Sequence, residues 1–201
     1  MKAIFLSASV PDPRRDPIYY ETADLVAIRD CVRALATVVL PHAALFWGGH
    51  PAITPLIRVV AENAGIKAPD RIRLFQSAWF SDVLPADNAE FERYELTPRQ
   101  ATRDSSLHTM RQRMISAAAF DAGIFIGGME GVEQEFAMFV KDHGKARLLP
   151  IASTGGAARL IYEKEKRRLD LPRALEEDYA YPSLFRKLLD LPFEPSGGPS
   201  R

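Results

Sequence analysis

Apolar runs without polar alternation recur along the chain, at Ala3 to Leu6, Ala43 to Trp47, Ile72 to Phe80, Ala122 to Ile126 and Ala146 to Ile151. Each is too short for a free-standing helix and suits a strand buried on both faces. Between the runs the pattern changes to helical spacing. From Thr22 to Leu40, the residues Leu25, Ile28, Val32, Leu35 and Val39 recur at steps of three and four, with Thr22 placed to cap and Pro41 to stop. Thr54-Pro55 fits an N-cap followed by proline at N1, and the next helix presents Leu56, Ile57, Val60 and Ala64 before Gly65. Ser105 or Ser106 opens a helix with Leu107, Met110, Met114, Ile115 and Ala118 on one stripe. Val132, Phe136, Phe139 and Val140 mark another, and helices over Ala157 to Arg168 and Pro182 to Leu189 follow.

Strands apolar on both faces, alternating with amphipathic helices, predict an α/β fold: a three-layer, Rossmann-like arrangement with a mostly parallel sheet between helices. One domain over residues 1–190 is expected, with residues 191–201 as a disordered tail rich in Pro, Gly and Ser. Ser81 to Asp104 mixes prolines, charges and the apolar Phe91, Tyr94 and Leu96. The expectation there is a short helix and an edge hairpin, serving as a lid or as a surface for a second subunit.

Composition narrows the partners. Among 201 residues, Lys+Arg and Asp+Glu are both 26, so the formal charge is zero. That argues against general nucleic-acid binding and for a small ligand. The single cysteine, Cys31, excludes an internal disulfide framework and reads as packing. No apolar run is long enough for a membrane span, and the N-terminus reads as a first strand, so a cytoplasmic protein is expected.

Candidate chemistry lies where the strands end. Four of them run into small-residue loops. The first loop holds Ser7 and Ser9, and the second Gly48, Gly49 and His50. The third is Gly127, Gly128, Met129, Glu130 and Gly131, and the fourth Ser153, Thr154 and Gly155. In an open parallel sheet these ends share the edge where ligands bind. They offer N–H groups, hydroxyls and helix dipoles but no positive cluster, which suits a phosphate. The arginines of Pro11 to Asp16 read as a solvated loop, within reach of such a group. Neither a Gly-x-Gly-x-x-Gly after the first strand nor a Gly-x4-Gly-Lys-Ser/Thr is present, so no dinucleotide cofactor is expected. His42, His50, His108 and His143 show no paired-ligand spacing, and no metal is expected.

Two ionisable groups stand out. Arg111 falls inside the apolar stripe of its helix, whereas Arg113 projects from the opposite face. A cation there needs a partner or a ligand, unless it snorkels from the helix end. After Gly131, Glu133 and Glu135 occupy opposite shoulders of an apolar helix face, and periodicity does not choose between them.

Met110-Arg-Gln-Arg-Met-Ile-Ser, followed by Asp121-Ala-Gly-Ile-Phe-Ile-Gly-Gly-Met-Glu-Gly-Val-Glu-Gln-Glu135, resembles the signature of the SLOG superfamily, which joins the Smf/DprA proteins to the LOG phosphoribohydrolases. Phe5-Leu-Ser-Ala-Ser-Val-Pro11 and Phe46-Trp-Gly-Gly-His-Pro-Ala-Ile-Thr54 are similar to the other two ligand loops of such a domain. The likeness covers roughly Ala3 to Ile161. It departs from the LOG pattern Pro-Gly-Gly-x-Gly-Thr-x-x-Glu in three ways: no proline precedes Gly127, no threonine follows Gly131, and one extra residue separates the glycines. The resemblance selects Glu135 over Glu133, makes Arg111 the upstream arginine, and implies a homodimer. It leaves two functions open. One is a binding or sensor domain for a nucleotide-derived ligand, in bacterial nucleotide signalling or defence; the altered glycine loop favours it. The other is a LOG-like nucleoside 5′-monophosphate phosphoribohydrolase with Glu135 and Arg111 catalytic; the retained Glu135 favours that.

Overall fold

Successive residues of the strands face opposite layers, and the two faces differ in chemistry. Ile4, Leu6, Leu45, Trp47, Ile72, Leu74, Ile124 and Ile126 share one core, whereas Ala3, Phe5, Ala44, Phe46, Phe75 and Phe125 share another. The computed structural model describes residues 1–66, 71–83 and 94–192. Its strands are β1 (Lys2–Ser9), β2 (Ala43–Trp47), β3 (Ile72–Ser77), β4 (Tyr94–Thr97), β5 (Ala122–Gly127) and β6 (Arg147–Ile151). They form one sheet in the order β4-β3-β2-β1-β5-β6, and every pairing is parallel. The fold is the expected three-layer, Rossmann-like α/β arrangement.

The first face is covered by α2 (Leu25–Val39), α3 (Thr54–Asn63) and α8 (Tyr181–Leu189). The second is covered by α4 (Arg103–Ile115), α5 (Glu130–Asp142) and the Ala157 and Ile161 side of α6 (Gly156–Glu165). Short helices α1 (Pro17–Tyr20) and α7 (Ala174–Glu177) complete the described set. The second core is aromatic: Phe5 stacks on Phe139 with ring centroids 4.9 Å apart and meets Phe120 edge-on. Cys31 is fully buried on α2, as packing requires.

The helix ends differ in detail from the sequence reading. Asp24, not Thr22, caps α2, its Oδ1 accepting from Ala27 N–H at 2.9 Å. Thr22 instead accepts from Gly156 N–H at the start of α6. Ile53 is the N-cap of α3, and Thr54, its first residue, turns its Oγ1 back to His50 N–H. Thr102 caps α4 in a reciprocal capping box with Ser105. β3 ends at Ser77, three residues short of the predicted Phe80, and a 3₁₀ segment, Ala78–Val83, follows. β4 adds to β3 in parallel, so these two strands do not form a hairpin. The rest of that expectation, over residues 84–93, and the tail from 193 onward lie outside the described residues.

Candidate functional site

The strand order reverses direction between β1 and β5, which lie side by side although most of the chain separates them. At such a point the connections leave in opposite directions and open a crevice beyond the strand ends. A cleft of about 440 Å³ lies there, lined by the exits of β1, β2 and β3, by α4, and by the first turns of α5. Ser7, Ser9, Gly48, Gly49, His50, Met129, Glu130, Gly131, Arg111 and Glu135 all line it. So do residues the sequence reading did not assign to the site: Trp47, Gln76, Phe80, Leu107, Met110, Asp12, Arg15 and Arg103. Gln76 lies one residue before the end of β3, which also carries the polar Arg73 and Ser77.

The third loop is built by its glycines. Gly127 and Gly128 both have positive φ, +55° and +82°, and a Cβ on Gly128 would sit 2.2 Å from Val132 Cγ2. Register pairs Gly127 with Ser9 across β1 and β5. The pair turns the chain into α5, whose N-terminus has no side-chain cap. Gly127 and Gly128 themselves stand behind the cleft rather than on its wall.

Ser153, Thr154 and Gly155 also stay outside the cleft. Thr154 Oγ1 accepts from Gly127 N–H at 2.9 Å and donates to Ile151 O at 2.6 Å. Ser153 pairs with the Tyr181 hydroxyl, and Ala157 N–H binds Gly128 O. This loop braces the glycine turn from β6, so its small residues serve close packing.

Glu135 is held on the inner wall. Its Oε1 accepts from Arg111 Nε at 3.2 Å, and Arg111 Nη1 also donates to Gln134 Oε1 at 2.6 Å. Burial pushes the Glu135 carboxyl above its ordinary range, opposed by the charge of Arg111 and by the nearby Ser7 hydroxyl. Ser7 is buried at the cleft, where its hydroxyl lies beside the Glu135 carboxyl. Glu133 is engaged elsewhere, accepting from the Tyr19 hydroxyl, whose own pKa that carboxylate and burial both raise. The tie between the two glutamates is resolved: Glu135 lines the cleft and Glu133 does not.

Arginines from outside the four strand-exit loops also reach the cleft. Arg15 from the Pro11-to-Asp16 loop and Arg103 and Arg111 from α4 reach one cleft, where Asp12, Glu130 and Glu135 oppose them. Arg15 pairs with Glu130 at the mouth, and Asp12 N–H reaches Met129 Sδ, so the Pro11-to-Asp16 loop closes over the start of α5. Arg113 faces away and pairs with Glu95 on β4.

A profile of the SLOG cluster3 family matches residues 18–189, and the chain belongs to that family. Among solved structures it is similar to the X-ray structure of TM1055, a structural-genomics target, at 15% identity and a TM-score of 0.54 over 81% of each chain. At that identity the likeness is one of fold. Comparison with curated proteins gave no match. Among the described residues no helix is long and apolar enough to cross a membrane.

Proposed function

We propose that the protein is a binding or sensor domain that takes a nucleotide-derived small molecule into the cleft at the carboxyl ends of β1, β2 and β3. The observation that carries this reading is Glu135, a largely buried carboxylate at the cleft wall, engaged by Arg111 and standing beside the Ser7 hydroxyl. A carboxylate so placed accepts hydrogen bonds from sugar hydroxyls. Arg15, the uncapped start of α5 and the Ser9 loop supply the complement to a phosphate. Such a module would serve bacterial nucleotide signalling or defence in the cytoplasm, as a homodimer.

One observation favours the second reading, a phosphoribohydrolase. Burial shifts the Glu135 carboxyl in the direction that a general acid in N-glycosidic cleavage needs. Calorimetric titration with nucleoside 5′-monophosphates, with chromatography of the mixture for free base, separates the two. The sensor reading expects saturable binding and intact nucleotide; steady release of base overturns it. With a formal charge of zero, no affinity for duplex DNA is expected at physiological salt. The dimer is checked by mass in solution at tens of micromolar.

A further inference from the structure

Two polar side chains at the β2–β3 end of the cleft have their orientations fixed by backbone. Gln76 is the last residue but one of β3 and is 7% exposed. Its Nε2 donates to Gly48 O at 2.7 Å. A carbonyl only accepts, so this bond determines which end of the amide is nitrogen. Gly49 makes room for it, since a Cβ there would stand 1.9 Å from that Nε2. Oε1 is left on the cleft wall with no hydrogen bond among the described residues.

His50 is set in the complementary sense. Its Nδ1 accepts from Ala52 N–H at 3.2 Å, so the neutral ring carries its proton on Nε2. Burial pushes the imidazolium form down, which keeps the ring neutral. Thr54 Oγ1, accepting from His50 N–H, anchors the same turn. The result is one acceptor and one donor without net charge, beside the apolar surfaces of Trp47, Phe80 and Met110.

The Arg15–Glu130 pair lies elsewhere, and a cation at this end is Arg103, its guanidinium 6.0 Å from the Phe80 ring centroid. Arg15, Glu130 and the start of α5 sit at the β1–β5 junction. From β3 to β5 there are three strand spacings, about 14 Å. We infer that Gln76 and His50 form the base-recognition subsite of the cleft. It takes a planar heterocycle that donates an N–H to Gln76 Oε1 and accepts from His50 Nε2–H, its ring against Phe80 and Met110. This rests on the nucleotide reading above and adds which end holds the base and what reads it.

The test compares the four nucleoside 5′-monophosphates with ribose 5-phosphate, which carries sugar and phosphate without a base. Wild type should bind its preferred nucleotide more tightly than ribose 5-phosphate. Gln76→Met should weaken that nucleotide about 10-fold, the size of one hydrogen bond lost in a cleft, and leave ribose 5-phosphate unchanged. His50→Asn keeps an acceptor for Ala52 N–H but no donor that reaches as far, so it should do the same. It decides the matter if Gln76→Met does not fold. Folded variants that retain the full nucleotide preference overturn the subsite. Equal losses for nucleotide and ribose 5-phosphate also overturn it, by placing the sugar there. Wild type that binds ribose 5-phosphate but gains nothing from a base defeats this inference alone, and wild type that binds none of the five defeats the nucleotide reading with it.

Discussion

Arg111 Nε on α4 stands 3.2 Å from Glu135 Oε1 on α5, with both side chains little more than a tenth exposed. An ion pair at that distance would by itself hold a carboxyl below its ordinary range. The Glu135 carboxyl nevertheless lies above it, because removal from water is the larger effect and Arg111 offsets only part of it. The pair is assembled at a desolvation cost, with the Ser7 hydroxyl beside the carboxyl.

The sign of that shift predicts a pH dependence. Folded Glu135 binds its proton more tightly than the unfolded chain does, with its ordinary value at 4.5. Its contribution to stability is therefore fully present below 4.5 and is lost as pH rises through the folded value. Wild type should lose Tm relative to Glu135→Gln as pH climbs from 4.5 toward neutrality. Thermal melts that run parallel across that window would show that the carboxyl is not desolvated.

Two glycines of the central loop should respond in opposite ways. A Cβ on Gly131 would meet only Arg111 Nη2, at 3.0 Å, the mobile end of a long side chain. Gly131→Ala should hold stability within about 1 kcal/mol of wild type, while displacing Arg111 and weakening ligand. Gly128→Ala combines φ of +82° with a 2.2 Å approach to Val132, so it should cost ~2 kcal/mol or more in urea unfolding. The reverse order would contradict the assignment of one glycine to the cleft and the other to the turn.

The strands were legible in the sequence because burial on both faces leaves a local mark, an unbroken apolar run. β2 and β5 begin where the run predicts, and the three motifs of the family resemblance fall on one sheet edge. What was illegible depends on distant partners. Ser153-Thr154-Gly155 looks like a ligand loop because small residues at a strand exit suit either a ligand or close packing. Only the Gly127 N–H, far away in sequence, shows which use is made of Thr154. Glu133 and Glu135 flank the same face, and Tyr19 captures the first of them. Gln76 carries no motif; its orientation is set by Gly48, just past the end of the neighbouring β2. Helices α1 and α7 are four residues each, too short to show a period.

Thr154 supplies a control for the bracing role. Thr154→Val leaves the buried Gly127 N–H without its acceptor, a loss of ~1–3 kcal/mol of stability. Because Thr154 does not line the cleft, ligand affinity of the folded variant should match wild type. A variant of native stability that fails to bind would return this loop to the site.

In a sensor domain Glu135 would contact the ligand and not turn it over. The direct measurement is nucleotide affinity of Glu135→Gln against Glu133→Gln, with free base quantified for each and for wild type. Glu133→Gln should bind as wild type does, since Glu133 pairs with Tyr19 outside the cleft. Glu135→Gln should lose ~1–3 kcal/mol of affinity, the range for a hydrogen bond to a charged group, and none of the three proteins should release base. Base released by wild type and lost in Glu135→Gln, with affinity little changed, would contradict the account and make the protein a hydrolase.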